Sequence, residues 1–367
     1  MPAEMLQARP TLVCAAGRSR RLHRCSRAGP PAQHHARPDP IDSQTWSPDQ
    51  GRDHRASDGC VGRRVMVAPE KARHPLFPLA RPIGLNEAHQ RICRVPAIQD
   101  GAIGFVPSFL ALLSLPHTEP AGSVYERDGG LRRLRILSDP TLGVPYGHVA
   151  RIWLIWISTR IVQTRSRSID LAPSQSAFFR SLGIRGSRGN GGSIVRYADQ
   201  LDRLCRSLFI EINRADSPPK FENHLVARKG PLFGESLRNG SADLLLGQLL
   251  VPEEYFMECT QHAVPIDLRA VAATRSTVRL DLYLFLTYRL NSLRRPLRLP
   301  WSTLLAQIGI QPPVGNAAAL RSATARLRPA LRDVLLLYPQ ARVEMTATGV
   351  ELRPSPPAVP RRGPSCG

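Results

Sequence analysis

The sequence predicts a mostly α-helical protein with small β wings (an α+β fold), in which two tandem winged-helix units follow a disordered N-terminal region. Three observations lead to this fold class. Residues 1–95 are rich in Arg, Pro, His and Gly and show no sustained apolar period. From Gly101 onwards, apolar residues recur at helix or strand spacing. The order helix, strand, helix, helix, β-hairpin then occurs twice, in predicted units of residues 101–250 and 251–353, before a disordered tail of residues 354–367.

The charge balance favours a polyanionic partner. The 367 residues include 50 Lys and Arg against 29 Asp and Glu, a formal net charge of +21. Each cation placed on a phosphate releases a condensed counterion, so double-stranded DNA is the first candidate and an anionic membrane surface the second. The longest apolar stretches fall short of the ~20 residues that span a bilayer. We therefore expect no membrane segment and a cytoplasmic protein.

The Arg- and Pro-rich leader, residues 1–95, cannot bury enough apolar surface to offset the entropy of ordering. One interpretation is a basic arm that adds nonspecific affinity for DNA. The other is a disordered leader, or upstream sequence translated from a misassigned start codon, since Met66 offers a later start. The composition favours the second interpretation, and no site residue is predicted in this region.

Cysteine and histidine spacing predicts neither a cofactor nor a metal site. The seven cysteines are scattered, odd in number and without paired CxxC spacing, which argues against a disulfide framework and a zinc cluster. Cys259 and His262 lack a second ligand pair, so a buried thiol beside a surface histidine is the favoured interpretation. His117, His148 and His224 are also solitary, and the carboxylates are spread thinly.

No catalytic residue is predicted. An enzyme acting on nucleic acid needs clustered metal ligands or a tyrosine nucleophile beside a histidine pair. Tyr283 and Tyr288 are the nearest candidates, and both lie on a helix among core residues. Their spacing favours packing over catalysis.

The first unit is predicted from turn signals and periodicity. An extended pair joined at Asp128-Gly-Gly130 reads as a β-hairpin. It precedes an apolar helix from Val149 to about Thr164. The remaining elements alternate strand and helix: a strand at 168–171, a helix at 174–182, a glycine-rich turn at 183–192, a helix at 193–208 and extended segments at 209–212, 224–227 and 243–250.

The helix predicted at 193–208 is the candidate for reading DNA. Its apolar residues recur at three and four residues and define a core face: Ile194, Tyr197, Leu201, Leu204 and Leu208. Arg196, Gln200 and Arg203 recur with Ser207 on the opposite face. Arg and Gln can each form two hydrogen bonds with a base edge. A solvated polar face without a DNA contact is an equally good interpretation of this spacing.

The glycine-rich turn before this helix suggests a phosphate contact. A nucleotide-binding P-loop requires Lys and then Ser or Thr after its last Gly, whereas Gly192 stands at the lysine position here. ATP hydrolysis at the turn is therefore disfavoured. We expect instead that Arg185, Arg188 and the helix N-terminus at Ser193 hold a DNA phosphate.

The second unit repeats this order. Its helices are predicted at 267–275, 277–293, 301–308 and 316–338, and its extended segments at 296–299, 341–345 and 350–352. Asn316 is the predicted N-cap of the last helix. Arg321, Arg328 and Arg332 form a partly exposed stripe, and we expect them to contact DNA. Pro329 costs about 3 kcal/mol in a helix interior, which predicts a kink or two helical pieces.

Several ordered blocks resemble the plasmid-encoded RepA replication initiators. The resemblance covers residues 101–352 and rests on the segments 143–147, 160–165, 176–183, 267–270, 280–290 and 299–301. It implies binding to repeated sites at a plasmid origin, opening of an adjacent AT-rich stretch, and recruitment of the host initiator and helicase. A homodimer is a further possibility. The alternative function is a winged-helix transcriptional regulator, including an initiator that represses its own promoter.

Overall fold

The computed structural model describes residues 83–130, 132–171, 175–182, 193–233 and 247–360. Within these ranges the chain forms helices and small antiparallel sheets. The helices are α1 (Leu85–Arg94), α2 (Ser108–Leu112), α3 (Gly147–Thr164), α4 (Gln175–Ser181), α5 (Ser193–Cys205), α6 (Glu253–Gln261), α7 (Leu268–Ala273), α8 (Thr277–Ser292), α9 (Trp301–Gln307) and α10 (Ala317–Leu337). The strands are β1 (Ile103–Val106), β2 (Val124–Asp128), β3 (Arg132–Ser138), β4 (Ser168–Asp170), β5 (Ser207–Asn213), β6 (Lys220–Leu225), β7 (Gln248–Leu250), β8 (Val264–Asp267), β9 (Leu297–Pro300), β10 (Arg342–Met345) and β11 (Gly349–Arg353).

The predicted order of elements is present twice, from α3 to β6 and from α8 to β11. In the second series β11 lies between β10 and β9 in a three-stranded antiparallel sheet. In the first series the hairpin β5–β6 joins the predicted hairpin β2–β3, and together they form the four-stranded sheet β2-β3-β5-β6. Strand β4 of the first series does not join this sheet but pairs with β7. Each series therefore ends in a hairpin that follows its last helix.

The first helix of each series is buried on almost every side. In α3 every residue from Ala150 to Thr159 is buried, and in α8 the same holds from Leu280 to Thr287. A helix that is apolar all round belongs in the interior of a protein rather than at its surface. The two helices therefore form the centre on which the other elements pack.

The two series share one hydrophobic core. Strand β1 of the first predicted unit pairs with β8 of the second, with Ile103 opposite Asp267 and Val106 opposite Val264. Arg151 of α3 forms a buried ion pair with Asp281 of α8, at 2.6 Å between Nε and Oδ1. The predicted boundary between residues 250 and 251 therefore divides elements that pack into one body.

Order begins earlier and ends later than the sequence predicted. Residues 85–94, inside the predicted leader, form α1, whose Ala88 is fully buried. At the other end Val359 is 3% exposed, and the Tyr338 hydroxyl donates to the carbonyl of Pro356 at 2.5 Å. The average composition of these regions did not predict either ordered segment. A few apolar residues among many polar ones are enough for a short element that packs on an existing core.

Helix α10 continues through Pro329 and is not divided into two helical pieces, the second of the two predicted outcomes. Proline removes the hydrogen bond that its nitrogen would donate to the carbonyl of Ala325. Both residues are exposed, so water can satisfy the carbonyl that loses its partner. The position of Pro329 on the solvent side explains why the helix tolerates it.

Candidate nucleic-acid interface

The core face of α5 is confirmed as far as Leu204, but the helix ends at Cys205, so Leu208 lies in β5 and not on the helix. Leu201 and Leu204 are fully buried, and Ile194 is 8% exposed. Ala198 is also buried, and the indole nitrogen of Trp153 donates to the carbonyl of Tyr197 at 2.8 Å. The helix is therefore packed against α3 through the face that the apolar spacing predicted.

The opposite, polar face of α5 is largely covered, which corrects the predicted stripe of DNA contacts. Gln200 is 2% exposed, and its carbonyl oxygen accepts from the backbone nitrogen of Tyr146 at 2.9 Å. Ser207, predicted on the same face, lies beyond the end of the helix as the first residue of β5; it is 1% exposed and donates to the carbonyl of Arg203 at 2.6 Å. Gln200 therefore holds α5 to the segment before α3 and does not face solvent.

Arg203 also has partners within the protein. Its guanidinium lies 2.7 Å from a carboxylate oxygen of Glu119 and 2.9 Å from one of Asp199. It lies 5.3 Å from the ring centroid of Tyr146, in cation–π range. Its side chain is only 11% exposed. Arg203 joins α5 to the loops beside it, so DNA would have to displace these contacts to reach it.

Arg196 is the predicted contact on α5 that the structure leaves exposed. Ser193 is the first residue of α5, as expected for the start of this helix. Arg185 and Arg188 lie outside the described residues. The predicted phosphate contact at the glycine-rich turn therefore stays a prediction.

Helix α10 presents a more accessible basic surface. Arg321 and Arg332 are exposed, and Arg328 between them is half-buried. The spacing of seven and four residues puts the three on one side of the helix. Small exposed side chains lie beside them at Ala318, Ser322 and Ala325. Small residues let a helix approach another surface closely, while the arginines provide the charge.

The predicted N-cap of α10 is confirmed, because the Asn316 side chain accepts from the backbone nitrogen of Ala319 at 2.9 Å. This hydrogen bond satisfies one of the unpaired donors of the first turn. It fixes where the helix begins, one turn before Arg321.

Arg328 connects α10 to the hairpin β10–β11. Its guanidinium carbon lies 4.6 Å from the ring centroid of Trp301, and it donates to the carbonyl of Thr346 at 2.9 Å. Thr346 stands at the turn between the two strands. The basic side of α10 and this turn therefore form one continuous surface, with Arg328 as a structural link within it.

The two helices differ in charge. α10 contains four arginines against one aspartate, and that aspartate, Asp333, lies 2.6 Å from the guanidinium of Arg279. α5 contains two arginines and two aspartates. Arg326, which the sequence analysis did not select, is also exposed on α10. Its position five residues after Arg321 places it about 140° around the helix, outside the stripe that spacings of three, four and seven residues define.

The hairpin of this surface depends on a glycine. A Cβ atom at Gly349 would overlap the carbonyl group of Leu299 on the neighbouring strand β9. We predict that Gly349→Ala lowers the free energy of unfolding by about 1–3 kcal/mol, because strands β9 and β11 must separate. Chemical denaturation measures this change. Thr348→Ala, an exposed substitution in the same turn, should change it by less than about 0.5 kcal/mol; equal effects of the two would contradict the steric explanation.

The remaining candidate chemical groups are buried. Cys259 is 1% exposed whereas His262 is exposed, as the favoured interpretation of that pair predicted. Burial raises the pKa of the Cys259 thiol to about 12, so the thiol is neutral at physiological pH. Tyr283 is fully buried, and its hydroxyl accepts from the backbone nitrogen of Asp267 at 2.9 Å. Both side chains pack in the interior.

No helix among the described residues combines the length and hydropathy needed to cross a bilayer.

Comparisons with known proteins identify the family. The family described as "Plasmid encoded RepA protein" matches residues 144–327, which is half of the chain. The match begins just before α3 and ends within α10. No curated protein matches the chain.

Two solved structures of domains 2 and 3 of RctB are distantly similar. They have TM-scores of 0.42 and 0.38 and sequence identities of 14% and 13%. The alignments cover 67% and 66% of this chain and 98% and 94% of those chains. The family match stands independently of this likeness: the chain belongs to the family of plasmid-encoded RepA proteins.

Proposed function

We propose that the protein is a plasmid replication initiator that binds repeated duplex sites at its origin, mainly through α10 and the hairpin β10–β11. The series from α8 to β11 would act as a winged-helix unit, with α10 in the major groove and the hairpin as the wing. The observation that carries this proposal is the exposed stripe of Arg321 and Arg332 beside small side chains, continuous with the hairpin turn.

The series from α3 to β6 would be the second winged-helix unit, in a supporting role. Gln200 and Arg203 are engaged within the protein, so Arg196 and the glycine-rich turn with Arg185 and Arg188 are its remaining candidates for contact. These residues suit phosphate contacts, which position a protein on DNA without reading sequence. Two units in one rigid core would bind adjacent segments of one site.

The family membership favours a non-catalytic DNA-binding protein. Opening of AT-rich DNA and recruitment of the host initiator and helicase are the steps that the RepA resemblance implies after binding. A homodimer is compatible with repeated sites, because each copy can occupy one repeat. A transcriptional regulator would use the same surface, and an initiator that represses its own promoter would combine both functions.

The DNA-binding surface is tested with the double variant Arg321→Ala, Arg332→Ala. We expect a weakening of roughly 5- to 150-fold for each arginine that contacts a base edge, because such a contact contributes about 1–3 kcal/mol. Fluorescence anisotropy measures affinity for a duplex that contains the direct repeats next to the gene and for a scrambled duplex of equal length. A loss that is equal on both duplexes would make these arginines phosphate contacts.

The matched control is the double variant Arg133→Ala, Arg135→Ala, which removes the same two charges from the sheet β2-β3-β5-β6, where these arginines pair with Asp128 and Glu126. Its affinity for DNA should change little. If the control weakens binding as much as the double variant, net charge rather than α10 determines affinity.

A plasmid that lacks its replication gene separates initiator from regulator. The wild-type gene supplied in trans should maintain this plasmid, and the double variant should not. A wild-type protein that binds the repeats and represses a reporter, yet fails to maintain the plasmid, would favour the regulator.

A further inference from the structure

Strand pairing brings together three potential metal ligands on the hairpin β5–β6. Glu211 and Glu222 are directly opposite each other, and His224 follows Glu222 by two residues on the same face. The His224 Nε2 atom lies 3.7 Å from a carboxylate oxygen of Glu211 and 3.9 Å from one of Glu222. All three ligand atoms lie within 4.8 Å of one another.

One ring nitrogen of the histidine at this place is buried without a hydrogen bond from the described part of the chain. His224 is 8% exposed, and its ring stacks on Phe109 of α2 with centroids 4.5 Å apart. Among the residues that the structure describes, no group accepts or donates a hydrogen bond at its buried Nε2. Both carboxylate distances exceed hydrogen-bond range. A buried nitrogen left unpaired costs free energy, so this atom points to a ligand between the two carboxylates.

The charge at this place also favours a cation. Glu211 is 5% exposed, and one of its oxygens contacts Arg132, which leaves the other facing His224. With Glu222, two carboxylates face His224, and the guanidinium of Arg132 contacts one of them.

We propose that Glu211, Glu222 and His224 bind a divalent transition-metal ion of the Zn²⁺ type. Tetrahedral ligands 2.0–2.2 Å from such an ion lie about 3.4 Å apart, slightly closer than the distances found here. The Glu222 side chain is 75% exposed and free to make the small adjustment. Imidazole nitrogen combined with carboxylates suits Zn²⁺, whereas Mg²⁺ prefers oxygen alone. Water takes the remaining position.

The ion would join the edge strand β6 to β5 midway along their hairpin. Arg132 orients Glu211 from the neighbouring strand β3, as partners outside the ligand set commonly do in metal sites. Spacing along the chain does not indicate a metal site here, because Glu211 lies 11 residues before Glu222 and 13 before His224. The pairing register, which was not predicted, is what brings them together.

The test is a titration of the metal-free full-length protein with Zn²⁺. Calorimetry measures the stoichiometry and affinity of binding, and thermal unfolding measures the change in Tm. At an ion concentration of about a hundred times Kd, Tm should rise by about 5 °C. Glu222→Gln keeps the size of an exposed side chain and should not affect folding. The Glu222→Gln variant should bind one equivalent of Zn²⁺ fewer than the wild type, or should bind Zn²⁺ at this site at least about 10-fold more weakly. Mg²⁺ should leave Tm unchanged.

His89→Gln is the matched control, because His89 lies 3.8 Å from the Cys93 thiol at the surface and the two form another pair of potential metal ligands. This variant should retain the equivalent that Glu222→Gln loses. With Co²⁺ in place of Zn²⁺, the visible absorption that Glu222→Gln loses should contain no thiolate charge-transfer band, because no cysteine belongs to the proposed site. Zn²⁺ binding by Glu222→Gln with the stoichiometry and affinity of the wild type, or an equal rise in Tm with Mg²⁺, would overturn the proposal.

Discussion

Asp281→Asn is expected to lower the free energy of unfolding by about 3–5 kcal/mol, the cost of removing one partner from a buried ion pair. Arg151 is fully buried and uses all five of its N–H donors. Two donate to Asp281, at 2.6 and 2.7 Å, and three donate to the carbonyls of Leu115, Pro116 and Gly147. Without the carboxylate, a buried guanidinium loses its counter-charge.

The pair also joins the two series of elements, since Arg151 lies on α3 and Asp281 on α8. Burial raises the pKa of Asp281, but Arg151 and His117 outweigh it, and the net shift is downward. The stabilisation is therefore present above the ordinary carboxyl pKa and is lost only in strong acid. At neutral pH the variant should show its full effect.

Denaturant titration at pH 7 measures the change, and a double-mutant cycle with Arg151→Met assigns it to the pair. Arg151→Met, Asp281→Asn should be less destabilised than the sum of the single variants, because it leaves no uncompensated charge. Recovery should be incomplete, since the three carbonyls then lose their donor. Strict additivity would show that the two residues stabilise the core independently.

The spacing of apolar residues and the turn and cap residues predicted the elements that are specified by residues close together in the sequence. The apolar runs of α3 and α8, the Asp128-Gly-Gly130 turn and the Asn316 cap are all local signals, and the structure contains each. The order of elements follows from them. Local signals are sufficient here because helix formation, capping and tight turns involve residues close in sequence.

The polar face of α5 was predicted less well, because spacing cannot reveal what covers a face. Gln200 and Arg203 have the spacing of an exposed stripe, yet the segment around Tyr146, about 55 residues earlier in the chain, supplies their partners. On α10 the same spacing remained exposed at Arg321 and Arg332. The difference lies in tertiary packing rather than in either helix.

Lowering the pH from 7 to 5 is expected to cost about 2 kcal/mol of stability through His148 alone. Burial, with a smaller effect of Arg151, lowers the pKa of His148 from its ordinary value near 6.5 to about 4, although Asp281 acts in the opposite direction. Its buried Nδ1 has no hydrogen-bond partner among the described residues. Between pH 6.5 and 4 the unfolded chain therefore takes up a proton that the folded protein excludes. Each pH unit in this window costs about 1.4 kcal/mol.

His148→Asn isolates this contribution, because asparagine does not titrate. Denaturant unfolding at a series of pH values gives the difference in free energy of unfolding between wild type and variant. This difference should shift by about 2 kcal/mol towards the variant from pH 7 to pH 5, whatever its value at neutral pH. Other histidines and carboxylates affect both proteins alike and cancel. A difference that stays constant with pH would mean that His148 binds its proton equally well in the folded and unfolded chain, and that its burial has no electrostatic cost.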